Sequence, residues 1–261
     1  MNTFILFKRA KIHYNDYGKG KVIVLLHGFL ENSTMWNGFI TQWSKKNRIV
    51  TIDLLGHGQS DCLGYIHTME LMANTVAKVL THLKIKKATF IGHSMGGYVA
   101  LAFAELYPSK VKGLCLMNST SKPDSKDKQK NRDRAIEAVK HNSKMFIGIS
   151  ITNLFRPKNK RIFSEKIKIV THEALKTPLQ SIIAALEGMK IRKGRQEIFR
   201  DGNFKKMMII SKKDPVLEYQ SLIDEASNNT IKVVELPDGH MSHIENKESF
   251  SYNIMYFIEN I

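Results

Sequence analysis

Runs of consecutive apolar residues, many of them ending at a glycine, divide the chain into strand-sized segments. Residues 22–26, for example, read Val-Ile-Val-Leu-Leu and are followed by His27 and Gly28. Continuous β-branched runs bounded by glycine are typical of strands buried on both faces, as in a parallel sheet. The pattern predicts strands over residues 11–14, 22–26, 48–54, 88–91, 111–117, 206–210 and 231–236.

Helical periodicity fills most of the intervals between these runs. Residues 69–83 place their apolar side chains on one stripe, and residues 95–107 form a helix of small residues that ends before Pro108. Residues 250–258 close the chain as an amphipathic helix. Because strand alternates with helix, we predict an α/β fold with a doubly wound sheet.

Residues 119–206 break this alternation, because they contain no good strand. The segment holds lysine-rich amphipathic stretches instead, at residues 124–141, 143–155, 159–175 and 178–191. We therefore predict a sheet core made of residues 1–118 and 207–261. Residues 119–206 are expected to form an all-helical insertion between two strands of that core.

Composition is that of an ordinary globular protein, with 261 residues of which 43% are hydrophobic and 25% charged. No apolar run approaches the roughly 18–20 residues that span a bilayer, and residues 4–7 are too short for a signal-peptide core. Cys62 and Cys115 are too few for a disulfide framework. We expect a cytoplasmic protein with no membrane partner.

The net charge of +16 is unusual, and residues 119–206 hold 22 basic against 9 acidic side chains. A basic balance is typical of proteins that bind nucleic acid, anionic membranes or acidic ligands, and it also follows from genome composition. Of the 40 basic residues, 31 are lysine. Since phosphate recognition favours arginine forks, we expect no nucleic-acid partner and interpret most of the excess as solvated helix faces.

The strongest chemical signal is the sequence Gly92-His93-Ser94-Met95-Gly96-Gly97, which follows a predicted strand and opens a predicted helix. A serine in G-x-S-x-G at this position lies on a sharp turn, with its hydroxyl above the edge of the sheet. The flanking glycines meet the need for small residues there. The alternative is a glycine-rich turn with an incidental serine. We predict Ser94 as a nucleophile.

A serine nucleophile needs a base that is held in place by an acid. Asp214 follows the predicted strand 206–210, and His240 follows the strand 231–236. Both therefore lie at the same sheet edge as Ser94, in the chain order expected for such a triad. Asp238 is too close to His240 in sequence to orient it and is interpreted as a turn former.

His243 competes with His240 for the role of base, and His240 is favoured because it directly follows the turn glycine. Two backbone amides are candidates for an oxyanion hole. Met95 supplies one at the start of the helix, and Phe29 supplies the other from the loop after residues 22–26. The alternative for the second is a plain turn that ends a strand.

These motifs together resemble the α/β-hydrolase superfamily and, within it, the small capped carboxylesterases and carbon–carbon bond hydrolases with an HGF oxyanion loop. The resemblance rests on His27-Gly28-Phe29, residues 53–60, residues 92–97, Asp214-Pro215 and Gly239-His240. It implies an eight-stranded, mostly parallel sheet whose second strand is antiparallel, with a helical cap inserted after the sixth strand. It also implies the triad Ser94, His240 and Asp214. Haloalkane dehalogenases and epoxide hydrolases of this fold use an aspartate nucleophile, so those activities are not expected.

The expected activity is hydrolysis of a small to medium carboxylic ester through an acyl-enzyme intermediate. Carbon–carbon bond hydrolysis, thioester or amide cleavage, lyase chemistry and ligand binding without catalysis stay open, as does the oligomeric state. A further hypothesis is that the basic insertion draws in an anionic acyl substrate. Four side chains are candidates for the substrate pocket, and each has core packing as its alternative: Trp36, His93, Phe146 and Phe155.

We expect neither a metal nor another cofactor. The ten histidines show no ligand spacing on one helix face, and no G-x-G-x-x-G sequence follows a strand.

Overall fold

The computed structural model describes residues 3–227 and 230–261 and contains one eight-stranded sheet. Its strands are β1 (Thr3–Phe7), β2 (Ala10–Tyr17), β3 (Lys21–Leu26), β4 (Asn47–Ile52), β5 (Ala88–His93), β6 (Val111–Met117), β7 (Lys205–Ser211) and β8 (Ile231–Leu236). They lie in the order β1-β2-β4-β3-β5-β6-β7-β8. Strand β2 is antiparallel to both of its neighbours, and all other neighbouring pairs are parallel. The predicted fold class, including the antiparallel second strand, is confirmed.

The strand order reverses direction at β3, which pairs with β4 on one side and with β5 on the other. In open α/β sheets, such a switch point leaves a crevice beyond the carboxyl ends of the strands, where ligands bind. The ends of β3 and β5 carry residues 27–29 and 94, so the topology opens the crevice beside two of the predicted motifs.

Both faces of the sheet are covered, which explains the continuous apolar runs. Within β3, Val24 and Leu26 point into a core beneath one layer of helices, whereas Ile23 and Leu25 point into the core on the opposite face. The helices are α1 (Asn37–Trp43), α2 (Met69–His82), α3 (Met95–Leu106), α4 (Lys126–His141), α5 (Ser143–Thr152), α6 (Ser164–Ala174), α7 (Leu179–Lys190), α8 (Gln196–Asp201), α9 (Tyr219–Glu225), α10 (Ser242–Glu245) and α11 (Lys247–Glu259).

Strand β1 was not predicted from the pattern of the sequence. It lies at the edge of the sheet, and only Ile5 among its residues is buried, while Phe4 and Leu6 are exposed. An apolar run whose alternate members face solvent carries no clear amphipathic signal, so the periodicity that identified the inner strands is missing there.

Helices α4 to α8 stand between β6 and β7, and no strand is assigned to residues 118–204. The end of this segment is fixed to the sheet core by Arg195. Its guanidinium bridges Glu70 of α2 at 2.5 Å and Glu105 of α3 at 2.8 Å. Because the Arg195 side chain is buried and has two carboxylate partners, it fixes the place where the chain returns to the sheet core.

Helix α7 packs directly on the loop that precedes α2. The amide of His67 donates to the carbonyl oxygen of Ala184 at 2.9 Å. Gly188 lies so close to this loop that an added Cβ would overlap the carbonyl oxygen of His67. The absence of a side chain at Gly188 therefore sets the distance between α7 and the core.

None of the helices assigned within residues 3–227 and 230–261 combines the length and the apolar character required to cross a bilayer.

We expect Gly188→Ala to destabilise the protein by about 1–3 kcal/mol, because the new methyl group must push α7 away from the His67 carbonyl. Gly148→Ala is the matched control, since Gly148 also lies in a helix of the insertion but has open space around its Cα. It should stabilise the protein by about 0.5–1 kcal/mol through helix propensity. Urea denaturation measures both values, and equal effects of the two substitutions would contradict the close contact.

Candidate active site

Ser94 occupies a strained turn between β5 and α3. Its backbone angles are φ 49° and ψ −113°, a region that residues with a side chain rarely adopt. An added Cβ on Gly92 would overlap the backbone of Gly96, and one on Gly96 would overlap the carbonyl oxygen of Leu26. The two glycines of the motif are therefore required by the tight packing of this turn, which raises the partly exposed Ser94 side chain above the sheet edge.

Contacts from the last residue of β6 and from the second residue after it hold the turn in place. The Ser94 amide donates to the carbonyl oxygen of Met117 at 2.9 Å, and the Ser119 hydroxyl donates to the Ser94 carbonyl oxygen at 2.7 Å. These hydrogen bonds satisfy both main-chain polar groups of the strained residue. The Ser94 conformation is therefore supported from the neighbouring strand and does not depend on α3 alone.

The structure brings Asp214 and His240 together. The Nδ1 atom of His240 lies 2.8 Å from Oδ2 of Asp214, and both side chains are buried. The same carboxylate oxygen accepts from Asn118, and the other accepts from the amides of Val216 and Leu217. Burial alone would raise the pKa of Asp214, but the His240 partner and these hydrogen bonds outweigh it and hold the pKa below its usual value.

Asn118 is a part of the site that sequence reasoning missed. It follows β6, has a φ of 44°, and donates from Nδ2 to Asp214 at 3.0 Å. Its Oδ1 atom accepts the hydroxyl hydrogen of Ser242 at 2.7 Å. The available signal was its position, since a polar residue directly after a buried strand lies at the same edge as the other candidates.

His93 connects His240 to the Ser94 turn. The Nε2 atom of His93 lies 3.1 Å from the carbonyl oxygen of His240, and the two ring centroids are 5.0 Å apart. His93 is the last residue of β5 and precedes Ser94. The imidazole that binds Asp214 therefore lies beside the turn that carries the candidate nucleophile.

The two competitors for the triad have other partners. His243 is buried beside Glu31, 3.8 Å from its carboxylate, and burial lowers the pKa of His243 to about 3. Asp238 accepts from Arg156 and Asn246 instead of from His240.

The turn that carries His240 is bound to the helical insertion. The His240 amide donates to the carbonyl oxygen of Leu154 at 2.9 Å, and Arg156 forms an ion pair with Asp238 at 2.9 Å. The carboxylate of Glu245 also accepts from the Arg156 amide and from Asn159. Residues 154–159 and the turn after β8 therefore form one connected unit.

The two candidate oxyanion donors lie on segments that approach each other closely. Met95 is the first residue of α3, where main-chain amides have no acceptor within the helix. Phe29 follows β3, and the carbonyls of Leu26 and His27 lie against Gly96, one residue after Met95. Because of this contact, the start of α3 and the loop after β3 border the same crevice.

Asp53 and His27 hold the loop after β3 in place by accepting hydrogen bonds from main-chain amides. Asp53 accepts from the amides of Ser33 at 2.7 Å and Gln59 at 2.9 Å, and His27 accepts from the amide of Leu54 at 2.9 Å. These contacts join the loops after β3 and β4.

Glu31 is a buried carboxylate that sequence reasoning did not single out. Its Oε2 atom accepts from the Gly28 amide at 2.7 Å and lies 2.6 Å from Nδ1 of His93. Burial would raise the pKa of Glu31, but the His93 charge and these contacts lower it to about 2. Burial likewise opposes protonation of His93, but the Glu31 carboxylate raises the pKa of His93 above its usual value.

Among the described residues, one group of three side chains offers ligand atoms close enough for a single metal ion. Glu31, His93 and His243 place such atoms within 4.8 Å of one another. Glu31 and His93 bind each other directly, and we interpret the group as an ion pair with a neighbouring neutral histidine.

A cavity of about 440 Å³ lies between this edge of the sheet and the helical insertion. Its apolar lining includes Phe29, Tyr98, Phe146, Leu154, Leu186 and Leu217. Of the four pocket candidates, Phe146 lines this cavity. Trp36 is fully buried near His243, and Phe155 is fully buried against Phe163. His93 is enclosed by its bonds to Glu31 and His240.

Comparison with known proteins gives relatives of several activities. A 2-hydroxy-6-oxononadienedioate/2-hydroxy-6-oxononatrienedioate hydrolase of Paraburkholderia phymatum is 31% identical over 182 residues, which are 67% of this chain and 60% of that protein. An uncharacterized protein of Mycobacterium tuberculosis is 39% identical over 102 residues, which are 39% of this chain and 30% of that protein. The matches thus cover less than two thirds of the length of these relatives.

Solved structures match over nearly the whole chain. A thermophilic esterase from Thermogutta terrifontis has a TM-score of 0.91 and 27% identity, covering 99% of this chain and 97% of that one. The enol-lactonase from Burkholderia xenovorans LB400 has a TM-score of 0.87 at 19% identity, covering 98% of this chain and 100% of the other, and shows the fold alone. The model of the alpha/beta hydrolase fold family matches residues 21–247. The chain belongs to the α/β-hydrolase fold family.

Proposed function

We propose that the protein is a serine hydrolase that cleaves small to medium carboxylic esters, with Ser94 as nucleophile, His240 as base and Asp214 as the acid partner of the base. The observation that carries this proposal is the buried Asp214–His240 contact of 2.8 Å beside the strained Ser94 turn. Likeness to an esterase at 27% identity supports it.

The two steps of the reaction, acylation and deacylation, follow from the chemistry of these groups. His240 accepts the Ser94 hydroxyl proton while Oγ forms a bond to the ester carbonyl carbon, and the Phe29 and Met95 amides bind the resulting oxyanion. Collapse of this intermediate breaks the bond to the alcohol oxygen, which takes the proton from His240. Water then attacks the acyl-enzyme while His240 takes its proton. Collapse of the second intermediate breaks the bond between the acyl carbon and Oγ, which takes the proton from His240, so the acid leaves and Ser94 is restored.

Asp214 supports this cycle through the tautomer of His240. A carboxylate at 2.8 Å accepts a hydrogen from Nδ1, which leaves the lone pair on Nε2 to take the serine proton. Because the pKa of Asp214 is held low, the carboxylate remains charged at neutral pH and stabilises the imidazolium that forms during the reaction.

We further propose that the segment between β6 and β7 that carries helices α4 to α8, residues 118–204, acts as a lid and that the 440 Å³ cavity beneath it binds the acyl group. Phe29 and Phe146 supply apolar surface, and a cavity of this size is at the small end of the range for ligand pockets. The proposed preference for short to medium acyl chains rests on this volume.

The rim of the cavity favours an acyl group with a negative charge. Lys128 and Arg132 line it together with Asp124, and Asp124 also binds Arg192 at 2.6 Å. The charged residues that line the cavity are thus two cations and one carboxylate, and the buried Arg192 neutralises that carboxylate further. Two hydrolases of the 2-hydroxy-6-oxononadienedioate class are similar to this chain, and a dioate carries two negative charges.

This similarity also favours a second candidate function, in which the same triad hydrolyses a carbon–carbon bond. Simple esters distinguish the two candidates, because an ester specialist turns them over readily.

We expect Ser94→Ala to lower kcat for p-nitrophenyl esters at least about 1,000-fold, and Asp214→Asn to lower it by a similar factor. Asp238→Asn is the matched control for Asp214→Asn. It should lower kcat far less, because Asp238 does not bind the His240 ring. The measurement is a series of acyl-chain lengths on all four proteins, with fluorophosphonate labelling of Ser94 followed by mass spectrometry. A folded wild-type protein without labelling or turnover would exclude the proposal in favour of ligand binding.

Substrate charge has its own test. Lys128→Gln should lower kcat/KM about 2- to 5-fold for a p-nitrophenyl hemiester of a dicarboxylic acid and leave the neutral butyrate ester unchanged, as expected for one partly solvated ion pair. Lys130→Gln, on the same helix but outside the cavity lining, is the control. Rising ionic strength should reduce the preference for the charged ester, and equal salt dependence for both esters would contradict it.

A further inference from the structure

Glu31 takes no part in the mechanism above, yet its contacts connect three parts of the site. Its Oε2 atom accepts the Gly28 amide hydrogen at 2.7 Å, next to the candidate oxyanion donor Phe29. The same oxygen lies 2.6 Å from His93, whose other ring nitrogen lies 3.1 Å from the carbonyl oxygen of His240. Glu31 and His93 therefore connect the loop after β3, the turn that carries Ser94 and the turn that carries His240.

We propose that Glu31 is a positioning residue. It holds the Phe29 oxyanion donor directly, and the His240 turn through His93, at the correct distances from Ser94. This inference rests on the proposed function, since it assigns a role in the same site.

The hydrogen-bond partners themselves require a charged His93. A carboxylate and a main-chain carbonyl can only accept hydrogen bonds, so a histidine that binds both must donate from both nitrogens. A neutral imidazole has only one N–H and would lose one of the two contacts. Glu31 supplies the negative charge that keeps His93 in the doubly protonated form, and the raised pKa of His93 agrees with this.

The surroundings of His93 make Glu31 the effective partner. The titratable groups that face or act on His93 are Glu31, His240, Asp214, His243 and His27. Asp214 is engaged by His240, while burial lowers the pKa of both His27 and His243 and keeps these rings neutral. Removal of the Glu31 charge therefore leaves no carboxylate in contact with His93.

Gly28 supports the same conclusion from steric grounds. A Cβ atom on Gly28 would lie 2.5 Å from Oε2 of Glu31 and 2.9 Å from Nδ1 of His93. The Gly28 backbone does not need a left-handed conformation, since its φ lies outside that region. The glycine is required because the ion pair occupies the space of a side chain.

The reaction rate depends strongly on where the Phe29 amide lies relative to Ser94. Oxyanion donors act when they lie about 2.7–3.1 Å from the developing charge, and a misplacement of about 1 Å can cost about 100-fold in rate. Phe29 donates from its backbone, so its position depends on the loop that Glu31 holds. Loss of this contact is expected to affect kcat more than KM, because the oxyanion forms only after the substrate is bound.

The test compares Glu31→Gln with wild type. Glutamine can still accept the Gly28 hydrogen bond but carries no charge, so the pKa of His93 falls and His93 becomes neutral at lower pH. We expect kcat at pH 8 to fall about 10- to 100-fold, with KM changed less than about 2-fold. The protonated, active form of His93 is lost as pH rises through its pKa, so the alkaline decline of kcat should begin at lower pH in Glu31→Gln.

Two further variants separate positioning from general stability. Glu173→Gln is the matched control, because Glu173 contacts Asn32 of the same loop but neither Gly28 nor His93, and it should keep wild-type kcat and pH profile. Gly28→Ala keeps every charge but displaces the ion pair, and it should lower kcat as Glu31→Gln does. NMR of protein labelled with ¹⁵N-histidine reports the protonation of His93 in each variant.

Wild-type labelling and turnover are measured first, and an inert wild type would contradict the proposed function itself. If wild type is active and folded Glu31→Gln keeps its kcat and pH profile, only the role of Glu31 is overturned. A lower kcat with an unchanged pH profile and unchanged His93 titration would also overturn it. Should Glu31→Gln fail to fold, Gly28→Ala decides the question through the pH profile of kcat and the titration of His93, since both must shift if the ion pair is what positions the site.

Discussion

Helix α3 begins so close to the end of strand β3 that a side chain at Gly96 would collide with the carbonyl oxygens of Leu26 and His27. This contact places the first amide of α3 beside the loop after β3, and it requires the sharp turn whose strain falls on Ser94. The surrounding packing must compensate for that strain, which is of the order of 1–3 kcal/mol for one residue. The hydrogen bond that Ser94 donates to Met117 of β6 and the one that it accepts from Ser119 contribute to this compensation.

Three buried carboxylates then shape the loops around this turn, each by accepting main-chain amides. Asp53 binds the loops after β3 and β4, Asp214 binds the amides of its own turn, and Glu31 binds Gly28. Each also faces a histidine, so its negative charge is partnered as burial demands. The common design is a carboxylate that fixes a loop on one side and an imidazole on the other.

The parts of this arrangement that follow from local sequence were predictable. Strands β6 and β8 coincide with their apolar runs, and the positions of Asp214 and His240 after two parallel strands were enough to expect them at one edge. The Glu31–His93 pair was not predictable, because 62 residues separate its members and nothing in their spacing indicates contact. Helices α8 and α9 were likewise missed, since segments of six and seven residues are too short to show helical periodicity.

The bonds between residues 154–159 and the turn after β8 have a consequence for access to the cavity. Leu154 lines the cavity, and its carbonyl oxygen accepts a hydrogen bond from the His240 amide. Arg156 binds Asp238, which precedes His240 by two residues. Outward movement of this stretch must break those bonds and release the segment that presents the imidazole. The width of the cavity on this side and the placement of His240, the proposed general base, are therefore coupled, and a wide opening there would displace the His240 imidazole.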